Sequence, residues 1–265
     1  MARYAQELHG ALRQLSGSGR SITLDTPLPV RHASRLRRAW RRYVAYPRSV
    51  RHRDARLFHI LDQGYAHVIR GLDPERTVVT CHDLIPLLAV EGVISMALPA
   101  TVARTFRWRI CHLRRARAVI AVLEATRATL ERYTGVSPDR ITVVRQGVGP
   151  PFAPRDGRQA TRAAAGLDDT HAVLLQVASR SRYKNTPAAL HALARLRANG
   201  GDRLVLVRVG APMFPDEADL AVRLGVFDAV REVGSVDDAT LVAWYNAADV
   251  LVFPSLWEGD RKSVV

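Results

Sequence analysis

Three cations, Arg180, Arg182 and Lys184, alternate with other residues in the run VASRSRYKN, residues 177–185. An apolar stretch from Ala172 to Val177 leads into the run, and a helical pattern from Pro187 to Arg197 follows it. It therefore reads as a loop from a strand into a helix. Fixed cations and the N–H groups of a helix N-terminus suit the oxygens of a diphosphate, and they act best where negative charge grows as a group departs. Lysine is otherwise almost absent: of 39 basic residues, only Lys184 and Lys262 are lysines. His82-Asp83 directly follows the run TVVTC, and a histidine at a strand end is placed for function rather than packing. The segment AADVLVFPSLWEG, Ala247 to Gly259, adds an apolar run, a polar turn at Pro254-Ser255 and one carboxylate, Glu258, beside a glycine. Ligands of open parallel sheets bind outside the carboxyl ends of the strands, where Ser255 and Glu258 would stand.

Each of these groups needs a strand behind it. Phe58 to Leu61, Thr77 to Cys81, Ala118 to Val122 and Ile141 to Val144 read as the strands of a first half. A helical pattern from Glu124 to Tyr133, ended by Gly135, lies between the last two. The second half restarts with Ala172 to Val177, then Leu204 to Val209 ending at Gly210, then Val230 to Val233 ending at Gly234. Val250 to Phe253 reads as a buried parallel strand. Asp237 or Asp238 can cap a helix through Leu241, Trp244, Tyr245 and Ala248. Strands alternating with helices predict an α/β chain with parallel sheets. The breakers between Gly147 and Pro154 predict the connection, giving domains 1–148 and 157–259 joined by residues 149–156.

From Arg3 to Gly259 these motifs, in this order, resemble the family 4 glycosyltransferases (group 1 glycosyl transferases), which have the GT-B fold. The resemblance implies two Rossmann-like domains facing a cleft, a nucleotide sugar as donor, a glycan or lipid-linked acceptor, retention at the transferred carbon, and no metal or other cofactor. The neighbourhood HDLIPL, residues 82–87, is similar to that of mannosyltransferases and implies mannose. By the same resemblance Lys184 binds the phosphates, His82 contacts the transferred sugar, Glu258 contacts the donor sugar, and the backbone at Gly234 and Val236 reads the base. Ala178 and Ser179 stand where the family has a glycine and an arginine, so Arg180 or Arg182 takes the arginine's part. Leu123 stands where the family has a helix-capping serine.

The family's glycine-rich loop and second glutamate have no counterpart after Gly259, nor has the strand that normally precedes the helix resembled by residues 1–8. The chain is therefore expected to be an inactive piece of a longer transferase. Residues 260–265, DRKSVV and a stop, are what one reading frame of a common short-read sequencing adapter encodes, and are expected to be library DNA. Two other readings stand beside the transferase: a nucleotide-sugar epimerase of the same architecture, and a non-catalytic anion- or membrane-binding protein. The latter leaves Lys184 and FPSLWEG unexplained. A dinucleotide oxidoreductase is disfavoured, because no G-x-G-x-x-G follows any strand.

The formal net charge is +14, and ten arginines fall between Arg31 and Arg56, interleaved with Trp40, Tyr43 and Tyr46. Such a run suits an acidic membrane surface or an anionic glycan, with the aromatics as interfacial anchors, and reads equally as a solvated face. Nucleic acid is not expected, since no zinc-finger or RNA-recognition signature accompanies the charge. No uninterrupted apolar stretch reaches spanning length and no signal pattern opens the chain, which predicts a cytoplasmic location, peripheral at the inner membrane face. Cys81 and Cys111 lack metal-ligand spacing and read as small core residues. Asp168-Asp169 and Asp237-Asp238 read as helix caps rather than metal ligands.

Overall fold

The computed structural model describes residues 2–16, 21–25, 34–94, 96–149 and 151–257. Two compact units divide it, Met1–Gly147 and Val148–Val265. Glu258 and residues 260–265 lie outside the described residues, as does Arg31.

In the first unit β1 (Phe58–Ile60), β2 (Thr77–Cys81), β3 (Ala118–Ala121) and β4 (Ile141–Val143) pair in parallel, in chain order. Strands covered on both faces read as near-continuous apolar runs, and Val79, Cys81, Val119 and Ala121 are fully buried in one core with Ile69, Leu113 and Leu130. Around this sheet stand α1 (Ala2–Ser16), α2 (Arg35–Trp40), α3 (Tyr46–Ser49), α4 (Ile85–Val90), α5 (Ala100–Ile110) and α6 (Glu124–Tyr133). One π turn, Arg41–Ala45, joins α2 to α3. Leu123 precedes α6 and gives it no side-chain cap. A 3-10 helix, Gln63–Gly71, carries no sequence signature, because it is buried nearly all round. Its last residue must be glycine: a Cβ at Gly71 would lie 1.9 Å from the Pro47 carbonyl oxygen.

The basic segment departs from expectation. Tyr43 packs on His67 and Trp108 at ring-centroid distances of 5.0 and 5.7 Å, and Tyr46 packs on Tyr65 at 6.3 Å. Arg42 donates to the Gly64 carbonyl at 3.1 Å and lies over the Tyr65 ring. Tyr43 and Tyr46 are thus half-buried packing residues, because the π turn sets residues 41–46 against the 3-10 helix and α5. Among the described residues α2, with Arg35, Arg37, Arg38, Leu36 and Trp40, is exposed along its whole length, and Arg48, Arg51, Arg53 and Arg56 are exposed as well.

In the second unit β5 (Ala172–Ala178), β6 (Leu204–Gly210), β7 (Val230–Gly234) and β8 (Val250–Leu251) form a parallel sheet of order β7-β6-β5-β8. Its helices are α7 (Arg158–Ala163), α8 (Thr186–Ala198), α9 (Pro215–Arg223) and α10 (Asp238–Ala247). Side chains alternate between faces along a strand. Leu174 and Leu206 accordingly join Leu190, Leu193 and Ala221 of α8 and α9, while Val173, Leu175, Val205 and Val207 join Trp244 and Ala247 of α10.

The run Val250 to Phe253 is not the buried strand its composition suggests. β8 is a two-residue strand at the edge of the described sheet, and Val250 is 51% exposed. After the Val252 N–H bonds to the Leu175 carbonyl at 2.8 Å, the backbone leaves the ladder. The preceding Ala-Ala-Asp has a clear role. Asp249 accepts from the Val173 N–H at 2.7 Å and from Arg162 at 2.7 Å, and Arg162 is 1% exposed. Arg162 spends its other donors on the Ala247 and His171 carbonyls, tying α7 and α10 to the sheet. Asp237 caps α10 through the Thr240 N–H. Asp168 caps no helix; it closes a turn before β5 by accepting from the Thr170 N–H and the His171 ring.

Candidate functional site

In the second unit the cationic run stands at the carboxyl end of β5. Residues Arg182–Lys184 form one 3-10 turn, and Asn185, in the left-handed region at φ 52°, turns the chain into α8. The Asn185 side chain donates to the Pro254 carbonyl at 3.1 Å, and the Leu256 N–H donates to the Tyr183 carbonyl at 2.8 Å. Two motifs about seventy residues apart in sequence are thereby joined, and Ser255 lies within the joined stretch. The Lys184 ammonium stands 5.3 Å from the Phe253 ring centre and 5.5 Å from that of Tyr183. Arg182 lies 4.0 Å over Phe214 and pairs with Asp216 at 2.6 Å. That hydrogen bond holds the Asp216 carboxyl below its ordinary value. Arg180 also lies over Phe214, at 5.1 Å, but forms no ion pair among the described residues. Gly234 ends β7 with φ 82°, and Val236 packs against the α10 side of the core.

The first unit builds a second polar cluster at the carboxyl ends of β1 and β2. His82 donates from Nε2 to the Leu61 carbonyl at 2.9 Å, so its Nδ1 accepts from the Gln146 amide at 2.9 Å. Gln63 clamps the same backbone, accepting from the His82 N–H at 3.0 Å and donating to the Asp83 carbonyl at 2.7 Å. Tyr4 of α1 meets the His82 ring edge-on at 4.9 Å. The Asp83 carboxylate accepts from the Ile85 N–H at the start of α4. Burial, then the neighbouring His82, lowers the pKa of His59, which shares a 2.7 Å hydrogen bond with Thr80. Cys81 is fully buried, and burial pushes its thiol pKa up, so it is not a nucleophile.

Residues 3–150 match the family described as Glycosyltransferase Family 4, and residues 157–259 match Glycosyl transferases group 1. The chain belongs to glycosyltransferase family 4. It is 38% identical over 150 residues to D-inositol 3-phosphate glycosyltransferase 2 of Catenulispora acidiphila, covering 53% of this chain and 35% of that protein. It is 28% identical over 195 residues to the serotype-specific mannosyltransferase WbdA of Escherichia coli, covering 70% of this chain and 23% of that protein. The family 4 chain thus spans about a third or less of these curated relatives. The crystal structure of WaaG, a glycosyltransferase involved in lipopolysaccharide biosynthesis, superposes with a TM-score of 0.64 at 20% identity, over 89% of this chain and 65% of that one. This likeness shows the fold: α/β, with two Rossmann-like domains of the GT-B type.

Sequence reading of the family 4 chain missed several polar residues. Gln63 and Gln146 have no motif around them. Gln176, Arg208 and Glu232 do share a signal, since each stands two positions before the last residue of its strand.

Proposed function

We propose that the chain is part of a retaining transferase that moves a hexose, mannose by preference, from a nucleoside diphosphate sugar to a glycan or lipid-linked acceptor. The observation that carries this reading is the joining of the Lys184 loop to the segment after β8 at the carboxyl end of β5. That is where a parallel sheet binds its ligand. Lys184 and Arg180 hold the diphosphate as it departs, supplying charge that other enzymes draw from a metal. Arg180 rather than Arg182 takes this part, because Arg182 already shares its charge with Asp216. Gly234 and Val236 present backbone to the base, Ser255 faces the donor sugar, and Glu258 has its sugar-binding role from the family resemblance. His82 meets the transferred sugar when a hydroxyl replaces Gln146 at Nδ1. WbdA, named a mannosyltransferase, supports the choice of sugar. The exposed arginines of α2 support contact with an acidic membrane surface and a peripheral place on the inner face. No helix among the described residues is long and apolar enough to cross a membrane.

Calorimetric titration of the chain with UDP, GDP, GDP-mannose and the parent nucleosides tests the donor site. Diphosphates should bind and nucleosides should not. Equal affinity for a nucleotide and its nucleoside, or no heat with any of them, overturns the reading.

A further inference from the structure

Across the α8 side of the second sheet, Leu174, Leu206 and Val230 form one apolar row in register. Two residues further along each strand the row turns polar: Gln176, Arg208 and Glu232 pair in register. Arg208 is 4% exposed, and each of its three guanidinium nitrogens has a partner. Nε donates to Gln176 Oε1 at 3.1 Å, one terminal nitrogen pairs with Glu232, and the other lies 3.5 Å from the Thr186 hydroxyl at the start of α8. Burying a cation in a strand is costly unless its polar atoms are met, and here each of the three nitrogens ends on a group that touches a site loop. Gln176 passes the contact on, donating to the Lys184 carbonyl at 3.4 Å. Glu232 passes it the other way, accepting from the Met213 N–H at 2.7 Å next to Phe214, the ring beneath Arg180 and Arg182.

We propose that Arg208 is a positioning residue that sets both walls of the phosphate site at once. Through Gln176 and Thr186 it fixes the Lys184 turn and the start of α8. Through Glu232 it fixes the 211–214 loop that carries the arginine platform. An arginine is needed because its planar fork offers donors in three directions, whereas a lysine ammonium is a point charge. The role in phosphate binding rests on the donor-site reading above, but the mechanical coupling of the two loops does not.

Amide hydrogen exchange on the chain tests the coupling. Arg208→Met alone leaves Glu232 without its cation, so Arg208→Met/Glu232→Leu is the main variant; Arg208 is the buried partner and Glu232 is more than a third exposed, so replacing both leaves no buried charge unpaired. In it, amides of 181–186 and 211–214 should exchange on the order of tenfold faster, about what one charge-assisted hydrogen bond is worth, while β5 to β7 keep their protection. Gln176→Leu should loosen 181–186 and leave 211–214 unchanged, a selectivity that general destabilisation cannot produce. UDP affinity should fall about tenfold in the double variant, by the same factor. Uniform acceleration through β5 to β7, or no change in either loop, overturns the positioning role whether or not UDP binds. Coupled loops in a chain that binds no UDP uphold the coupling and overturn only the donor-site reading.

Discussion

At the scale of single residues, Arg180, Arg182 and Lys184 differ more in their surroundings than in their charge. Arg182 is spent on Asp216 in an exposed pair, and such pairs contribute about 0–1 kcal/mol. Lys184 lies in the turn that the segment after β8 braces. Lys184→Ala is therefore expected to weaken nucleoside diphosphate binding by about 1.5–3 kcal/mol, the worth of a hydrogen bond to a charged group. Arg180→Ala should weaken binding in the same range, and Arg182→Ala by less than about 1 kcal/mol. Calorimetric titration of the three variants decides, and an Arg182→Ala loss equal to that of Arg180→Ala would return the arginine's role to residue 182. His67 makes a different prediction. It is fully buried, and burial above all, aided by the Arg42 and Arg109 charges against an opposing hydrogen bond to the Arg42 carbonyl, lowers its pKa to about 4. The unfolded chain protonates this histidine near 6.5, so its share of stability is complete above that pH and is lost as pH falls from 6.5 towards 4. His67→Gln keeps a donor for the Arg42 carbonyl and does not titrate. Its thermal midpoint should fall less steeply across that window than that of the parent; equal slopes would remove His67 from the account.

At the scale of elements, the close approach of β5 and β6 governs the site. Gly210 ends β6 at φ 121°, and a Cβ there would lie 2.2 Å from the Ala178 carbonyl oxygen at the end of β5. Gly210→Ala must part the strand ends beneath the Lys184 loop. It should cost on the order of 1–3 kcal/mol, the price of a strained backbone position, read as a lowered thermal midpoint with weakened UDP binding. An unchanged midpoint would mean that the strands part freely. The strand text was largely legible, since buried parallel strands are short apolar runs between turn residues. β8 was overread because Val252 and Phe253 continue the apolar text past the point where the backbone leaves β5 for the Tyr183 carbonyl. The 3-10 helix from Gln63 was illegible for the opposite reason: burial on every side erases the periodicity that marks a helix. Of the candidate site, Lys184 and its neighbouring arginines could be read from residue type and spacing. The Arg208 row leaves only a weaker signal, the shared position two residues before each strand's end, because its three members meet only when three strands align.

At the scale of the whole molecule, two groups among the arginines stand in contrast. Arg42, Arg162 and Arg208 hold helices and strands together from within, and two of them pair with carboxylates, Asp249 and Glu232. Their charge therefore says little about partners. Arg35, Arg37 and Arg38 are different, because α2 is exposed throughout and presents Leu36, 84% exposed, and Trp40, 58% exposed, among them. Cations beside apolar side chains on a solvent-facing helix favour an anionic lipid surface over a free anion, since only the lipid offers both charge and an apolar layer. Each cation close to such a surface contributes about 1 kcal/mol. Replacing Arg35, Arg37 and Arg38 by Gln should therefore weaken sedimentation with anionic vesicles by about a hundredfold, and salt should weaken the parent in the same direction. UDP affinity should not change, as these residues belong to the other unit. Arg42→Gln is the informative control: its partners are the Gly64 carbonyl and the Tyr65 ring, so it should lower the thermal midpoint while largely preserving vesicle binding. Equal sedimentation with neutral and anionic vesicles would leave α2 a solvated face and direct the search for the acceptor to soluble glycans.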